Sequence, residues 1–217
     1  MSRAFIFGAG ALALLLVVVA LRISNSSSSE PPFDPKTQLP QAAPLCPWRE
    51  PASDLKQFFP NATHYEPETR ILSGQRLELA GRLGRVPTGD ENALRIYRCY
   101  QDLIPLGAVA TRRVKGAYGA IELVLAVGAD GQVRGLRVQR LREPEPIADA
   151  LLNPGWLRTF EGLRSDSSWK IGSDIADLVP EARASAEAMV DGARSLMILL
   201  AASDESDARN PVAARHH

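Results

Sequence analysis

The sequence predicts an α+β domain: an antiparallel sheet packed by a C-terminal helix and short helices, after an N-terminal transmembrane helix and a Ser/Pro-rich tether. Three observations predict this arrangement. Alternating apolar and polar residues recur between residues 94 and 141, a group of helical segments follows from residue 147, and an unbroken apolar run opens the chain at residues 5–21. Strands followed by a separate group of helices indicate an α+β domain rather than alternating βαβ units.

Length and composition indicate a globular chain. Of its 217 residues, 45% are hydrophobic and 23% are charged, which is the profile of a folded domain with some length left for tails. Lysine and arginine together number 25, as do aspartate and glutamate, so the formal net charge is zero. Because this balance gives no overall attraction for a polyanion, we expect no nucleic-acid partner.

Two local basic runs do not change that expectation. They are formed by Arg112, Arg113 and Lys115, and by Arg134, Arg137, Arg140 and Arg142. The second run alternates with Leu136, Val138 and Leu141, as residues of a half-buried strand do. We therefore interpret its arginines as the solvent-exposed face of a strand.

The apolar run at residues 5–21 (FIFGAGALALLLVVVAL) predicts a membrane anchor. It lies between Arg3 and Arg22. At a rise of about 1.5 Å per residue it spans about 25 Å, slightly less than a hydrocarbon core of about 30 Å. We expect residues 1–23 to anchor the chain once in the inner (cytoplasmic) membrane, with the following domain on the periplasmic side.

The alternative for this run is a signal peptide. Val18-Val19-Ala20 has the small-residue character of a cleavage site. A mature N-terminus near Leu21 would identify cleavage, whereas an anchor would be retained. In either case the bulk of the chain is expected to be exported.

Residues 24–53 are rich in Ser and Pro, and we expect them to form a disordered tether that holds the domain off the membrane. The domain is expected at residues 54–202, and a disordered polar tail at 203–217. Two cysteines occur, Cys46 in the tether and Cys99 in a predicted strand, and their spacing matches no metal motif. They either pair in an exported protein or remain two independent thiols.

The first part of the domain combines a helix and a strand. A helix is predicted at about residues 72–83. Thr88 and Glu91 have the spacing of a capping box, which by itself would predict a further helix after them. Residues 94–100 (LRIYRCY) nevertheless alternate and are rich in β-forming types, so we predict a strand there.

Further strands follow. Residues 106–116 (LGAVATRRVKG) predict a strand that ends at Gly116, and residues 120–141 predict a hairpin turning at Asp130-Gly131. Residues 143–146 (EPEP) are predicted to be neither helix nor inner strand, because proline removes a backbone donor.

Helices close the domain. Residues 147–152 and 154–161 predict two short helices, the second with Trp156 and Phe160 one turn apart. The closing helix is expected from about residue 180 to 200, with Asp177 or a neighbour as its cap. Its apolar stripe is expected to pack against the sheet. The stripe comprises Ala184, Ala188, Met189, Ala193, Leu196, Met197 and Leu200.

The order of these segments resembles the FMN-binding domain family, the flavin subunits of the Na+-translocating NADH:quinone reductase and Rnf electron-transport complexes. Residues 116–146 (GAYGAIELVLAVGADGQVRGLRVQRLREPEP) resemble that family's Gly-Tyr-Gly-Gly strand, Asp-Gly hairpin and Glu-x-Pro-Gly turn. Residues 155–160 (GWLRTF) resemble its Trp and Phe segment, and the closing helix follows. The resemblance covers residues 90–200. It implies an FMN-binding-like domain that acts in or beside a membrane electron-transfer complex, with other subunits as partners.

In that family the flavin is attached where the last helix starts. The motif is Ser-Gly-Ala-Thr-x-Thr/Ser, and its first Thr forms a phosphoester with FMN, at a helix end whose free N–H groups suit an anion. The corresponding residues here run from Pro180 to Ser185. Ala182 and Ser185 match, but Arg183 stands at the position of the attached Thr. An arginine cannot form that ester, so covalent attachment at residue 183 is excluded.

Three alternatives remain open. In the first, FMN is bound without a covalent bond, and Arg183 contacts its phosphate through charge-assisted hydrogen bonds. The resemblance then implies that the remaining pocket residues are Tyr118, Glu143 or Glu145, Trp156 and Ser185.

In the second alternative the domain keeps the fold without the flavin, as a structural or assembly subunit. Glu181 favours this alternative because its carboxylate would repel a phosphate, and Arg183 would then simply pair with Glu187 at i+4. In the third, Ser185 takes over the attachment, although it lies about 200° around the helix from Arg183.

Other site chemistry is disfavoured. The histidines are His64, His216 and His217, no Gly-x-Ser-x-Gly motif occurs, and no Cys/His/Asp group has metal-ligand spacing. The acids Glu143 and Glu145 flank a proline in a turn, where solvation is more common than glycosidase chemistry. We therefore predict no catalytic residue and no metal site.

Overall fold

The computed structural model describes residues 51–209, the side chains as far as Ser206, together with the backbone of residues 33–34 and 39–40. The last two segments, β1 (Phe33–Asp34) and β2 (Leu39–Pro40), pair antiparallel within a separate unit, Met1–Trp48. The predicted anchor, most of the tether and residues 210–217 lie outside the described residues.

The second unit, Arg49–His217, is built on a five-stranded sheet. The strands are β3 (His64–Ile71), β4 (Ala93–Gln101), β5 (Ile104–Lys115), β6 (Ala120–Gly128) and β7 (Val133–Leu141). They pair in chain order, and every neighbouring pair is antiparallel. The predicted turn at Asp130-Gly131 is confirmed, with Gly131 at a φ of +75° that favours glycine.

Among residues 51–209, five helices accompany the sheet. They are α1 (Ala52–Phe58), α2 (Arg76–Leu83), α3 (Glu145–Leu151), α4 (Pro154–Arg158) and α5 (Arg183–Arg209). Three single turns of 3-10 helix occur at Ser73–Gln75, Gly89–Asn92 and Pro180–Ala182. The α+β class, the antiparallel sheet and the C-terminal helix are thus confirmed.

The inner face of the sheet carries the main core. Alternate residues of β4, β5 and β6, such as Ile96, Ala110 and Leu123, point to this face and are fully buried. Helices α2 and α5 and the two short helices α3 and α4 cover it. Gly192 of α5 lies so close to the sheet that an added Cβ would be 2.5 Å from Val114 Cγ1.

The outer face carries a smaller core under α1. Leu55 and Phe59 pack there with Tyr97, Val109 and Val124. The sequence suggested a solvent-exposed face at this place. Of the four arginines in that run, Arg134 and Arg142 are exposed, whereas Arg137 and Arg140 of β7 are only partly exposed.

Those two arginines neutralise buried carboxylates on the outer face. Arg137 pairs with Asp54 of α1 at 3.3 Å, and Arg140 with Glu122 of β6 at 3.8 Å. Alternation along the strand was predicted correctly, but it does not reveal that a helix covers the polar side.

Three further boundaries differ from the prediction. Glu145 and Pro146 form the first turn of α3 instead of a non-helical segment, because a first-turn residue needs no intrahelical N–H bond. Helix α5 continues through Ala202 to Arg209, so residues 203–209 are helical and not part of a disordered tail. Helix α1 begins inside the predicted tether, at Ala52, and β3 was not predicted at all.

Within the described part of the chain, no helix is both long enough and apolar enough to cross a membrane.

Candidate functional site

The start of α5 is where the sequence placed a phosphate. Pro180 opens a 3-10 turn, and Ala182, which is fully buried, fixes this turn to the core before Arg183 begins the α-helix. No side chain caps the turn. Asp177, the expected cap, instead accepts the backbone N–H of Leu178 at 3.0 Å.

Arg183 is held by two carboxylates. Its Nε donates to Glu187 Oε1 at 3.1 Å, and its Nη1 donates to Asp177 Oδ1 at 3.0 Å. The hydrogen bond to Glu187 and the charge of Asp177 raise the pKa of Arg183. Its side chain is 45% exposed, so both pairs are open to exchange with other anions from solvent.

Ser185 points away from solvent. It is fully buried, and its Oγ accepts the backbone N–H of Ala117 at 2.9 Å. This bond ties the first turn of α5 to the loop between β5 and β6. The hydroxyl is therefore engaged in joining two elements of the fold.

The loop between β5 and β6 brings Tyr118 and Glu143 to the same place. The backbone N–H of Tyr118 donates to Glu143 Oε1 at 3.3 Å, and the Tyr118 ring is 70% exposed. A Cβ on Gly116 would lie 2.1 Å from Glu143 Oε1, and one on Gly119 would lie 2.4 Å from Arg142 O. Glycine is needed at residue 119 because its backbone approaches the backbone carbonyl of Arg142 so closely, whereas at residue 116 the nearest atom is the end of a flexible side chain.

Trp156 lies in the core, away from this cluster. It is 4% exposed, its Nε1 donates to Ala176 O at 3.0 Å, and its ring meets Phe160 edge-on with centroids 5.2 Å apart. The predicted one-turn spacing of Trp156 and Phe160 is confirmed, and the pair supports the loop that precedes α5.

A groove runs beside the first three turns of α5, between that helix and the loop at residues 161–179. Its volume is about 440 Å³, within the range of small-molecule sites. Its lining comprises Ser168, Trp169, Lys170, Ile171, Arg183, Glu187, Val190, Asp191 and Arg194. Arg183 is the predicted site residue that lies on it; Tyr118, Glu143, Trp156 and Ser185 are not among the residues that line it.

The loop wall of the groove is fixed in an unusual backbone conformation. Trp169 has a φ of +53°, which is uncommon for a bulky residue. Its N–H donates to Asp174 Oδ2 at 3.1 Å, and its Nε1 donates to Arg164 O at 2.8 Å. A hydrogen bond from Ser168 to the same carboxylate lowers the pKa of Asp174. The loop has no hydrophobic periodicity, so the sequence carried no signal for this wall.

The cations of the groove differ in their availability. Arg194 donates to the carbonyls of Arg82 and Leu83, each at 3.2 Å, and so binds the C-terminal end of α2. Lys170 is exposed and makes no ion pair with the part of the chain that the structure describes. Lys170 and Arg183 are therefore the cations that an anionic ligand would meet first.

An ion-pair cluster beside the groove is centred on Glu91. Arg85 donates to both of its oxygens, at 2.8 and 2.9 Å, and Thr88 N–H donates at 2.7 Å. Arg112 contacts both Glu91 and Ser195. The sequence revealed Thr88 and Glu91 as a capping box. Arg85 lies six residues before Glu91 in the same loop, whereas Arg112 comes from a distant strand and carried no signal.

The Glu91 carboxylate is held in its ionised form. Burial by itself raises its pKa, but the hydrogen bonds from Arg85, Thr88 and Arg112 outweigh this and lower the pKa to about 2. Arg85 also reaches Asp191 on the groove at 3.2 Å. The cluster therefore connects the loop at residues 84–92, β5 and α5, and neutralises one acid of the groove.

These residues fit a non-covalently bound FMN but not a covalently attached one. A covalent phosphoester does not fit, because residue 183 has no hydroxyl and the Ser185 hydroxyl is buried against Ala117. A non-covalent flavin fits in size, with Lys170 and Arg183 available to a phosphate once Arg183 exchanges a carboxylate for it. Among the described residues, no group of three His, Cys, Asp or Glu side chains forms a possible metal site.

Comparison with known proteins gives little further information. No protein-family model matches the chain, and no curated protein matches it. Six chains of solved structures match, including the crystal structure of Shewanella oneidensis NqrC. That chain is 17% identical; the alignment covers 68% of this chain and 88% of NqrC, with a TM-score of 0.46. At these values the similarity supports no statement about the site.

Proposed function

We propose that this domain is an FMN-binding-like module that acts in or beside a membrane electron-transfer complex, and that it holds FMN non-covalently. The observation that carries the proposal is the groove of about 440 Å³ at the start of α5, with Arg183 on its rim. This is the place to which the resemblance assigns the flavin phosphate. The strand, hairpin, aromatic segment and closing helix occur in the order that the resemblance implies.

The residues of the groove have separate roles in this proposal. Arg183 and Lys170 bind the phosphate, and the side chains of Trp169, Ile171 and Val190 offer the apolar wall for the ring system. When bound, the flavin supplies the redox chemistry. Arg194 and the Asp174 contacts keep the two sides of the groove in place.

The same proposal includes the location. Residues 1–23 anchor the chain once in the inner membrane, and the domain stands on the periplasmic side beside other subunits of the complex. The apolar run between Arg3 and Arg22 supports this arrangement.

A second function is favoured by the contacts of Arg183 and Ser185. Arg183 is already neutralised by Asp177 and Glu187, and Ser185 is already bonded to Ala117. In a flavin-free structural or assembly subunit these contacts would persist, because no ligand would replace them at the start of α5. The two functions differ in whether FMN binds.

A titration of the full chain with FMN tests the proposal. We expect a yellow protein with saturable binding, all of whose flavin is released by acid precipitation. Arg183→Ala should weaken binding at least tenfold, because a hydrogen bond to a charged group contributes roughly 1.5–3 kcal/mol and about 1.4 kcal/mol corresponds to a factor of ten. Arg158→Ala, which removes an exposed arginine from α4, is the matched control and should leave binding unchanged.

Three other outcomes would contradict non-covalent binding of FMN in the groove. A chain that stays colourless after reconstitution with FMN would exclude the flavin function and leave the structural one. A fluorescent band that survives a denaturing gel would show covalent flavin, against the chemistry of residue 183. Equal losses in the Arg183 and Arg158 variants would place FMN elsewhere than in the groove.

A further inference from the structure

The outer face of the sheet is basic, although the formal net charge of the whole chain is zero. Alternate residues of a strand share a face, so the outer-core residues Tyr97, Val109 and Val124 show which residues of β4, β5 and β6 point outward. The two arginines of β7 that pair with Asp54 and Glu122 lie on the same face. The cations of this face and of α1 are Lys56, Arg95, Arg113, Lys115, Arg137 and Arg140.

Two acids lie among these six cations in the described part of the chain. Asp54 of α1 pairs with Arg137 at 3.3 Å. Glu122 of β6 pairs with Arg113 and, at 3.8 Å, with Arg140. Both acids are buried, whereas the side chains of the three arginines are 29–42% exposed. Six cations less two acids leave four positive charges in excess on the outer face.

Apolar side chains are exposed on the same face. Tyr65 of β3 lies opposite Cys99, is 43% exposed, and meets the ring of Tyr97 edge-on. Ile71, at the other end of β3, lies opposite Ala93 and is 68% exposed. Tyrosine and aliphatic side chains among cations are typical of protein surfaces that contact a lipid headgroup layer.

The chain enters the domain on this face. Helix α1 begins at Ala52, and Asp54 in its first turn accepts a hydrogen bond from Gln139 of β7 at 2.8 Å. Only residues 24–51 separate α1 from the predicted anchor. Because such a tether keeps the effective concentration of the domain at the bilayer high, a weak attraction is enough to orient the domain.

We propose that the outer face of the sheet lies against the surface of the membrane, with its lysines and arginines facing anionic lipid headgroups. This attraction acts within about a Debye length, roughly 8 Å at physiological ionic strength, so a broad basic face brings several cations into range together. The groove, beside α5 on the other side of the sheet, then stays open to solvent and to partner subunits. The inference rests on the membrane anchor proposed above and does not depend on FMN.

Energy transfer in lipid nanodiscs tests the inference. The full chain carries Cys46→Ser and a fluorescent donor at either Thr69→Cys, on the outer face, or Arg158→Cys, on α4, and the acceptor dye is on the lipid headgroups. Cys99 is buried and stays unlabelled. With about one third anionic lipid, we expect roughly twofold higher transfer from residue 69 than from residue 158. The difference should vanish in neutral discs and at about 1 M salt.

A double variant tests the role of the cations. Arg95→Gln combined with Lys115→Gln removes two exposed cations from the outer face and should at least halve the difference in transfer. Arg76→Gln combined with Arg164→Gln removes two exposed arginines elsewhere and is the matched control, which should leave the difference unchanged. Circular dichroism melting shows whether each variant is folded.

Other outcomes overturn the inference or separate it from the anchor. Equal transfer from residues 69 and 158 in anionic discs overturns it and leaves the basic face to an acidic protein partner. A difference that persists in neutral discs, or in the folded Arg95/Lys115 double variant, also overturns it. A chain that does not co-purify with neutral discs contradicts the anchor. Sedimentation of that chain with anionic but not neutral vesicles would still support the inference, and no sedimentation would overturn it.

Discussion

At the scale of single residues, the buried carboxylate of Glu91 is under strong electrostatic constraint. It is 2% exposed and accepts hydrogen bonds from Arg85, Thr88 and Arg112. A buried ion of this kind is tolerated only because its partners satisfy it, and removing one partner leaves an uncompensated charge. The consequence is a stability that depends on pH.

We predict that Glu91→Gln lowers the free energy of unfolding by about 3 kcal/mol at pH 7. The folded pKa of about 2 lies below the ordinary value of 4.5, so this contribution is fully present above pH 4.5 and is lost as the pH falls toward 2. The difference between the two proteins should therefore shrink by roughly 2 kcal/mol between pH 7 and pH 3. Urea unfolding at both pH values measures it.

The exposed carboxylate of Glu161 provides the control. Glu161→Gln should change the unfolding free energy little, and by a similar amount at both pH values. A pH-independent cost for Glu91→Gln would show that the arginines are held by packing and not by the charge of Glu91.

Cys99 is the second residue with a direct chemical consequence. It is a free thiol, 1% exposed, in the outer core with Tyr97 and Val124, and burial raises its pKa to about 11. Cys46, its possible partner, lies outside the described residues. The sequence left pairing and independence open, and the fold shows only that Cys99 is shielded.

We predict that the thiol of Cys99 does not react in the folded chain. In a Cys46→Ser variant, a thiol reagent at pH 8 should label less than a tenth of the protein within minutes, because the reactive thiolate is both rare and buried. Labelling should become complete in denaturant. Rapid labelling of the folded variant would show that α1 opens from the outer face.

At the scale of elements, α5 decides the shape of the inner core. It packs along β5 and β6 through Gly192, whose missing side chain lets the helix approach Val114 and Leu123. Glycine inside a helix costs up to about 1 kcal/mol relative to alanine, so this position keeps its glycine for packing and not for helix propensity.

We predict opposite effects for two Gly→Ala substitutions. In Gly192→Ala the new methyl group would lie 2.5 Å from Val114 Cγ1, and overpacking should destabilise the domain by about 1–3 kcal/mol. In Gly81→Ala of α2 nothing lies within 4 Å of the new methyl, and the domain should gain about 0.5–1 kcal/mol. Thermal and urea unfolding of both variants measure the difference. A stabilised Gly192→Ala variant would mean that α5 lies farther from the sheet.

At the scale of the whole molecule, the last turns of α5 connect regions that are far apart in the chain. Asp204 pairs with Arg98 of β4, and Glu205 pairs with Arg82 of α2. Ser203 is buried beside them. The helix therefore fastens both the sheet and α2.

We predict that a chain ending at Ala202 is less stable than one ending at Arg209 by about 1–2 kcal/mol. The loss combines two partly exposed ion pairs, of up to about 1 kcal/mol each, with the end of a buried helical stripe. Urea unfolding of the two truncated chains, with unchanged m-values, measures it. Equal stability would show that these last two turns add nothing to the fold.

Part of the candidate site could be predicted from the sequence, and part could not. The position of Arg183 at the start of the closing helix, and its pairing with Glu187, were both readable from spacing along one helix. The groove was not, because Trp169 and Asp174 belong to a loop without periodicity. Trp156 was expected near the cofactor on the strength of the resemblance, whereas the structure places it in the core.

The sequence by itself determined the local elements: the hairpin at Asp130-Gly131, the alternating strands, the amphipathic closing helix, and the impossibility of an ester at Arg183. These features depend on near neighbours in the chain, where residue type and periodicity carry the information. Only the tertiary structure decided the pairing of Glu91 with Arg112, the cover that α1 gives to β7, and the groove beside the start of α5. These depend on contacts between residues distant in the chain, which a single sequence does not encode in any local pattern.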